Sequence, residues 1–267
     1  MNQVSVILPT IGRQSLYLVL QSMSTEIDLI SEIIVVNDSG RGLELGQYDL
    51  FPEVFQRIFQ IDTAGGIGPA KARNLAITIS SAQYIAFADD DDPWIKGRLF
   101  VQLNQMKLKG LKASLCLNLA SEQNNFWTGD LNPIDYLYSQ KGFFRHKRFL
   151  PLGSLVIERD SFNDIDFPEF LNEREDLWYF HILYNQNNKF SQLPVYGLRV
   201  KRQIWRSIRR PSSKDDIQWF LMLKELGPNL ARNFLVYVAI RNAIVGLQFR
   251  KLFTLLGVLI RDYSHRN

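Results

Sequence analysis

Four consecutive aspartates, Asp89 to Asp92, stand between the apolar run Tyr84-Ile85-Ala86-Phe87-Ala88 and the pair Pro93-Trp94. Like charges this close repel by roughly 1 kcal/mol per pair at 4 Å in bulk water, and by several times more near a protein surface. A cation is the direct relief, and hard divalent ions commonly share oxygen ligands between one or two carboxylates and a substrate's phosphates. A solvated acidic turn is the other reading of such a run, because charge blocks usually lie on surface. Two more polar clusters follow apolar runs: Pro9-Thr10 after Val4-Ser5-Val6-Ile7-Leu8, and Asn37-Asp38-Ser39-Gly40 after Glu32-Ile33-Ile34-Val35-Val36. A second carboxylate pair, Glu175-Asp176, opens a helical stretch whose Leu177, Phe180 and Leu183 face a core. Such a pair either complements the helix dipole or, if partly buried, supplies a general base with a raised pKa.

The elements that would position these groups are legible from the same pattern. Val4–Leu8 and residues 32–36 read as buried strands ending in turns, and residues 14–25 between them carry Leu16, Leu20 and Met23 at helical spacing. That is a β-α-β unit, hence a parallel pair. Gly65-Gly66-Ile67-Gly68-Pro69 leads into a helix over Ala70–Ile79, with Pro69 suited to a first helical turn. The strand ending in the aspartates follows, and Asp92 before Pro93 has the form of a helix N-cap. Further strands are expected over Ala113–Leu119, Leu152–Glu158 and Val195–Val200, and a helix over Arg174–Tyr184. In doubly wound sheets ligands sit beyond the carboxyl ends of the strands, where three of the polar clusters fall.

In this order the motifs resemble the family 2 glycosyltransferases, inverting enzymes with the GT-A nucleotide-sugar fold. The resemblance runs over residues 3–210 and is carried by the two strand-end motifs, Gly68 to Ala72-Arg73-Asn74, Asp89-Asp90-Asp91-Asp92-Pro93-Trp94, Arg98-Leu99 with Gln102, and Glu175-Asp176. It implies an α/β architecture: a doubly wound mixed sheet with helices on both faces, plus a helical C-terminal extension. By the Asp-X-Asp match, Asp91 would hold Mn²⁺ or Mg²⁺ on the donor's diphosphate, Asp90 would face the ribose, and Asp89 would support the turn. The metal would neutralise the departing diphosphate as a Lewis acid. Asp38 falls where the family contacts uracil, and Asn37 departs from the usual Asp before it. Pro9, Thr10, Gly68 and Lys71 are implied nucleotide contacts. The match makes Asp176 the catalytic base and Glu175 its neighbour. Arg206, Arg209 and Arg210 are candidates to close over the diphosphate, a solvated basic surface being the alternative.

The resemblance divides the chain into a GT-A domain over 1–210, with a nucleotide-binding half (1–110) and an acceptor half (111–210), and a basic helical extension over 211–267. It implies a nucleotide-sugar donor, a UDP-sugar foremost, and a glycan or lipid-linked acceptor in polysaccharide or cell-envelope assembly. A nucleotidyltransferase would need a Gly-rich, Arg-containing loop after the first strand, which Pro9-Thr10-Ile11-Gly12-Arg13 supplies poorly. A non-catalytic binding relative would be signalled by loss of a metal or base carboxylate, and both are present.

The net charge of +4 conceals an asymmetry: residues 199–267 hold 14 Lys/Arg against 4 Asp/Glu, a net of +10, which leaves −6 for residues 1–198. The basic tail is not interleaved with aromatics as a stacking platform, so nucleic acid is not an expected partner. Between Leu230 and Tyr263 the uncharged runs are shorter than the roughly 20 residues that span a bilayer. The segment reads as amphipathic helix that lies on an anionic membrane surface or packs on the catalytic domain or a second subunit, packing being favoured. With one cysteine, Cys116, no zinc-spaced His/Cys set and no signal-peptide core, the expected location is cytoplasmic or peripheral at the inner membrane face.

Overall fold

The computed structural model describes residues 3–47, 50–119, 150–162, 164–171, 174–186, 190–199 and 213–227, with 231, 232, 234, 235 and 238 beyond them. In chain order its elements are β1 (Val4–Thr10), α1 (Leu16–Ser22), β2 (Ile30–Asn37), α2 (Pro52–Phe55), β3 (Ile58–Asp62), α3 (Pro69–Ile79), β4 (Tyr84–Phe87), α4 (Arg98–Lys109), β5 (Ala113–Asn118), β6 (Leu155–Glu158), α5 (Glu175–Gln186), β7 (Phe190–Leu198) and α6 (Ser213–Leu226). The strands form one mixed sheet in the order β3-β2-β1-β4-β6-β5-β7. Neighbours run parallel except at β6, which is antiparallel to both β4 and β5.

Why these segments are strands is visible in their burial. Every residue of β4 and β5 is buried regardless of parity, as are Val4–Leu8 and Ile33–Asn37. A strand covered on both faces reads as a continuous apolar run rather than an alternation. Between sheet and helices, Val6, Leu8, Leu20, Ile33, Val35 and Leu99 belong to one fully buried core cluster, each side chain contributing about 1.5–3 kcal/mol relative to exposure.

Four departures from the sequence expectation have physical reasons. β1 does not stop at Leu8 but runs through Pro9, paired with Val36, to Thr10. The β1–β4 ladder ends at Ile7↔Phe87, so the missing N–H of Pro9 costs no bond on that side. β3, which the sequence reading passed over, is a half-exposed edge strand with a weak apolar signal. Strand β7 starts at Phe190, earlier than expected. Asp92 is not a helix cap: α4 begins at Arg98 after Gly97, and Pro93–Ile95 is instead stitched to the end of β7 by Ile95 N→Gly197 O and Arg199 N→Pro93 O, both 2.9 Å. That stitching needs extended backbone where a helix start was read.

The chain divides into two compact units, one of Met1–Ile134 with Lys147–Arg202 and one of Asp135–His146 with Gln203–Asn267. The first holds the whole sheet. In the second, Trp219 and Leu223 of α6 are fully buried. Among the described residues no helix is long and apolar enough to cross a membrane.

Candidate active site

Asp38 closes the first loop cluster. Its backbone N–H donates to Thr10 O at the parallel end of β1, and its carboxylate accepts from Thr63 Oγ1 at 2.7 Å, Gly68 N at 2.9 Å and Ile67 N at 3.0 Å. Burial works to raise its pKa, but these donors, together with the Gly66 N–H, outweigh it and hold the carboxyl below its usual value. Asp38 therefore carries a bracing task beside the base contact expected of it. The brace succeeds because the two loops touch: a Cβ on Gly65 would lie 2.8 Å from Gly40 N. Asn37 is fully buried, and its amide donates to Arg41 O and Asp62 Oδ1 while its oxygen accepts from Ser39 N. An aspartate there would face Asp62, which gives the departure at this position a structural reason.

The aspartate turn is organised by partners that the sequence reading did not assign. Asp90 is buried, accepting from Thr10 Oγ1 at 2.7 Å and from Arg13 Nη1. Arg13 also stands 3.8 Å from Asp91 Oδ2. Asp89 is gripped on both oxygens: Oδ1 by Arg73 Nη2 at 2.9 Å and Oδ2 by Gly153 N at 3.3 Å. The Gly153 turn is itself held from α4, where Arg98 donates to Gly153 O and Gln102 to Ser154 O. The Arg98/Gln102 spacing thus positions Asp89 from one shell out. Asp92 is buried, its N–H turned back to Asp89 O.

Arg73 extends this network to the second carboxylate pair, since its Nη1 lies 2.9 Å from Glu175 Oε1 at the start of α5. Glu175 is buried and Asp176 half-buried, its Oδ1 accepting the N–H of Leu177. Burial, and then the neighbouring Glu175 charge, push Asp176 up to about 7 against the pull of Arg73. Leu177, read as core-facing, is only half-buried, while Phe180 and Leu183 are fully so.

The structure thus links Thr10, Asp38, Gly68, Asp89, Asp90, Asp91, Glu175 and Asp176 through direct contacts or chain adjacency within one unit. Pro9 is half-buried at the strand end and Lys71 exposed on the first turn of α3. Arg206, Arg209 and Arg210 lie outside the described residues, as do His146 and His265. His181 packs against Trp178 and bonds Asn185, and Cys116 is a buried free thiol. Arg13 was legible only as a basic residue three positions after Thr10; what makes it matter is an approach across 77 residues of sequence.

Among the described residues no three His, Cys, Asp or Glu side chains converge to hold a metal alone. Asp89 and Asp91 are each partly exposed, at 26% and 30%, while Asp90 is buried. A hard divalent cation completed by waters and substrate phosphates requires no more than one or two carboxylates. The donor set fits a cation held jointly with a diphosphate.

The family model described as glycosyl transferase family 2 matches residues 5–165. An uncharacterized glycosyltransferase of Rickettsia bellii is 36% identical over 108 residues, spanning 39% of this chain and 15% of that protein's length. The Escherichia coli UDP-Glc:alpha-D-GlcNAc-diphosphoundecaprenol beta-1,3-glucosyltransferase WfaP is 26% identical over 181 residues, covering 67% of this chain and 69% of its own. Among solved structures, S. aureus TarS 1-349 in complex with UDP-GlcNAc superposes with a TM-score of 0.60 at 17% identity, over 95% of this chain and 75% of that one.

Proposed function

Because the chain belongs to glycosyl transferase family 2 and has the GT-A fold, we propose that it transfers a sugar, with inversion, from a UDP-sugar to a hydroxyl of a glycan or lipid-linked sugar. The observation that carries this reading is the Arg73 junction, which joins the aspartate turn to a carboxylate pair one member of which titrates near neutrality. A general base works best when its pKa lies near the operating pH.

In this mechanism Asp176, ionised, accepts the proton of the acceptor hydroxyl while that oxygen bonds to the anomeric carbon. The bond from that carbon to the diphosphate oxygen breaks on the opposite face, and its electron pair leaves with the nucleoside diphosphate. Asp91 would hold Mn²⁺ or Mg²⁺, which supplies Lewis-acid stabilisation of the charge on that leaving group. Thr10, Asp38 and Asp90 line the nucleotide side, and Glu175 orients the acceptor. The relative that uses UDP-Glc and a diphosphoundecaprenol-linked acceptor supports a UDP-sugar and a lipid-linked acceptor, and with them work at the inner membrane face.

A thermal-shift and hydrolysis screen of UDP- and GDP-sugars with and without Mn²⁺ tests the proposal. Wild type is expected to be stabilised by one nucleotide in a metal-dependent way, and Asp91→Ala to lose that dependence. If no nucleoside diphosphate binds wild type with any divalent metal, the proposal fails.

A further inference from the structure

We propose that Arg73 is a positioning residue that couples the donor side of the site to the acceptor side, fixing Asp89 and the Glu175–Asp176 pair with one guanidinium. This rests on the reading of Asp176 as the base. The side chain is 7% exposed and bridges two carboxylates that lie 16 residues after it and 102 residues after it. Its planar fork is what permits two parallel commitments at 2.9 Å; a lysine ammonium is a point charge without that geometry. Both ends are otherwise anchored. Asp89 is tied to Gly153 N. On the other side the Arg73 guanidinium lies 5.4 Å above the Phe167 ring, which stacks on Tyr179 of α5 at 3.8 Å. The adjacent Asn74 clamps both the N–H and the carbonyl of Phe167. Consecutive residues of α3 therefore lock the approach to α5 and the aspartate turn together.

Among the described residues, the charged groups acting most strongly on Asp176 are Glu175, Arg73 and Asp89: two anions and one cation. Arg73 stays charged: burial works against its proton, but Asp89 and Glu175 more than compensate. Removing the cation leaves Asp176 facing two anions, so it holds its proton to higher pH and serves less well as a base at neutrality. Removing the cation together with the Glu175 charge restores the balance.

The test uses the full chain with carbon-13-labelled aspartate carboxyls, Asp176 being identified by the resonance missing from Asp176→Asn, and calorimetric binding of UDP with Mn²⁺. In Arg73→Met the Asp176 midpoint is expected to rise by about one pH unit and UDP affinity to fall about fivefold or more as Asp89 loses its brace. Arg73→Lys, which keeps the charge without the fork, is expected to keep the midpoint but lose the affinity. Arg73→Met/Glu175→Gln is expected to return the midpoint towards wild type, and it serves where the single variant does not fold. If Arg73 is only a structural ion pair, melting temperatures fall while midpoint and UDP affinity stay at wild-type values, and the proposal is overturned. Full transfer activity in Asp176→Asn would instead sink the base reading itself.

Discussion

Two carboxylate clusters sit in this fold, and they are held in opposite ways. In the turn, Asp89, Asp90 and Asp91 meet two guanidinia, a hydroxyl and a backbone N–H. At the start of α5, Glu175 takes the other arm of Arg73, while Asp176 accepts the Leu177 N–H and has burial and a like charge against it. On the proposed reading, density of aspartates does not decide which carboxylate exchanges protons. The number and sign of its neighbours do. In the proposed mechanism the crowded turn holds charge in place, and the sparse pair passes a proton.

The largest expected effect comes from abolishing the contrast at its proton-passing end. Asp176→Asn should lower turnover by about 10²–10⁴-fold, the usual contribution of a positioned base, while calorimetry finds nucleotide affinity unchanged. Equal loss of affinity would mean that the two clusters do not divide the work. Next is the pH profile of wild type. With Asp176 pushed up to about 7, turnover should fall about tenfold per pH unit below that midpoint, and Asp176→Asn should erase this limb.

The same shift has a stability sign. A carboxyl whose folded pKa lies above its ordinary 3.8 makes the folded protein bind the proton more tightly than the unfolded chain does. Its contribution is greatest below that ordinary value and is lost as pH rises towards 7. Thermal melts should thus find Asp176→Asn more stable than wild type above neutrality, with the gap closing in acid. The smallest effect is expected in the crowded turn. Thr10→Val removes the hydroxyl from Asp90 and should raise the donor KM about two- to tenfold, one hydrogen bond's worth, with kcat little altered.

Much of the first half was legible because strands covered on both faces announce themselves as apolar runs, and their ends carry turn chemistry. Residues 32–36 and 84–88 are of this kind. The edge strand β3 was not, since Gln60 and Asp62 break its pattern. Nor could local pattern say that β6 inserts between β4 and β5, because strand order is written in long-range packing. The misread cap at Asp92 arose because Pro93 suits a first helical turn, whereas pairing with residues 197–199 demanded extended chain. At the site, the carboxylates were legible by type and position. Arg73 was legible as part of the Ala72-Arg73-Asn74 motif but its carboxylate partners were not, and Arg13 was not marked out at all, because an arginine's assignment depends on what the fold brings within 3 Å of it.

The insertion of β6 also sets an order of manufacture. Strands β1 to β4 are complete by Phe87, yet the second edge of β4 is covered only when Leu155–Glu158 arrives, with Tyr84 paired to Glu158. At about 5–20 residues per second on a ribosome, that edge stays open for several seconds. An unpaired apolar edge is a template for joining another chain. For this protein the interval between two strands, rather than any residue of its chemistry, is when the β4 edge of a newly made chain is open to such joining.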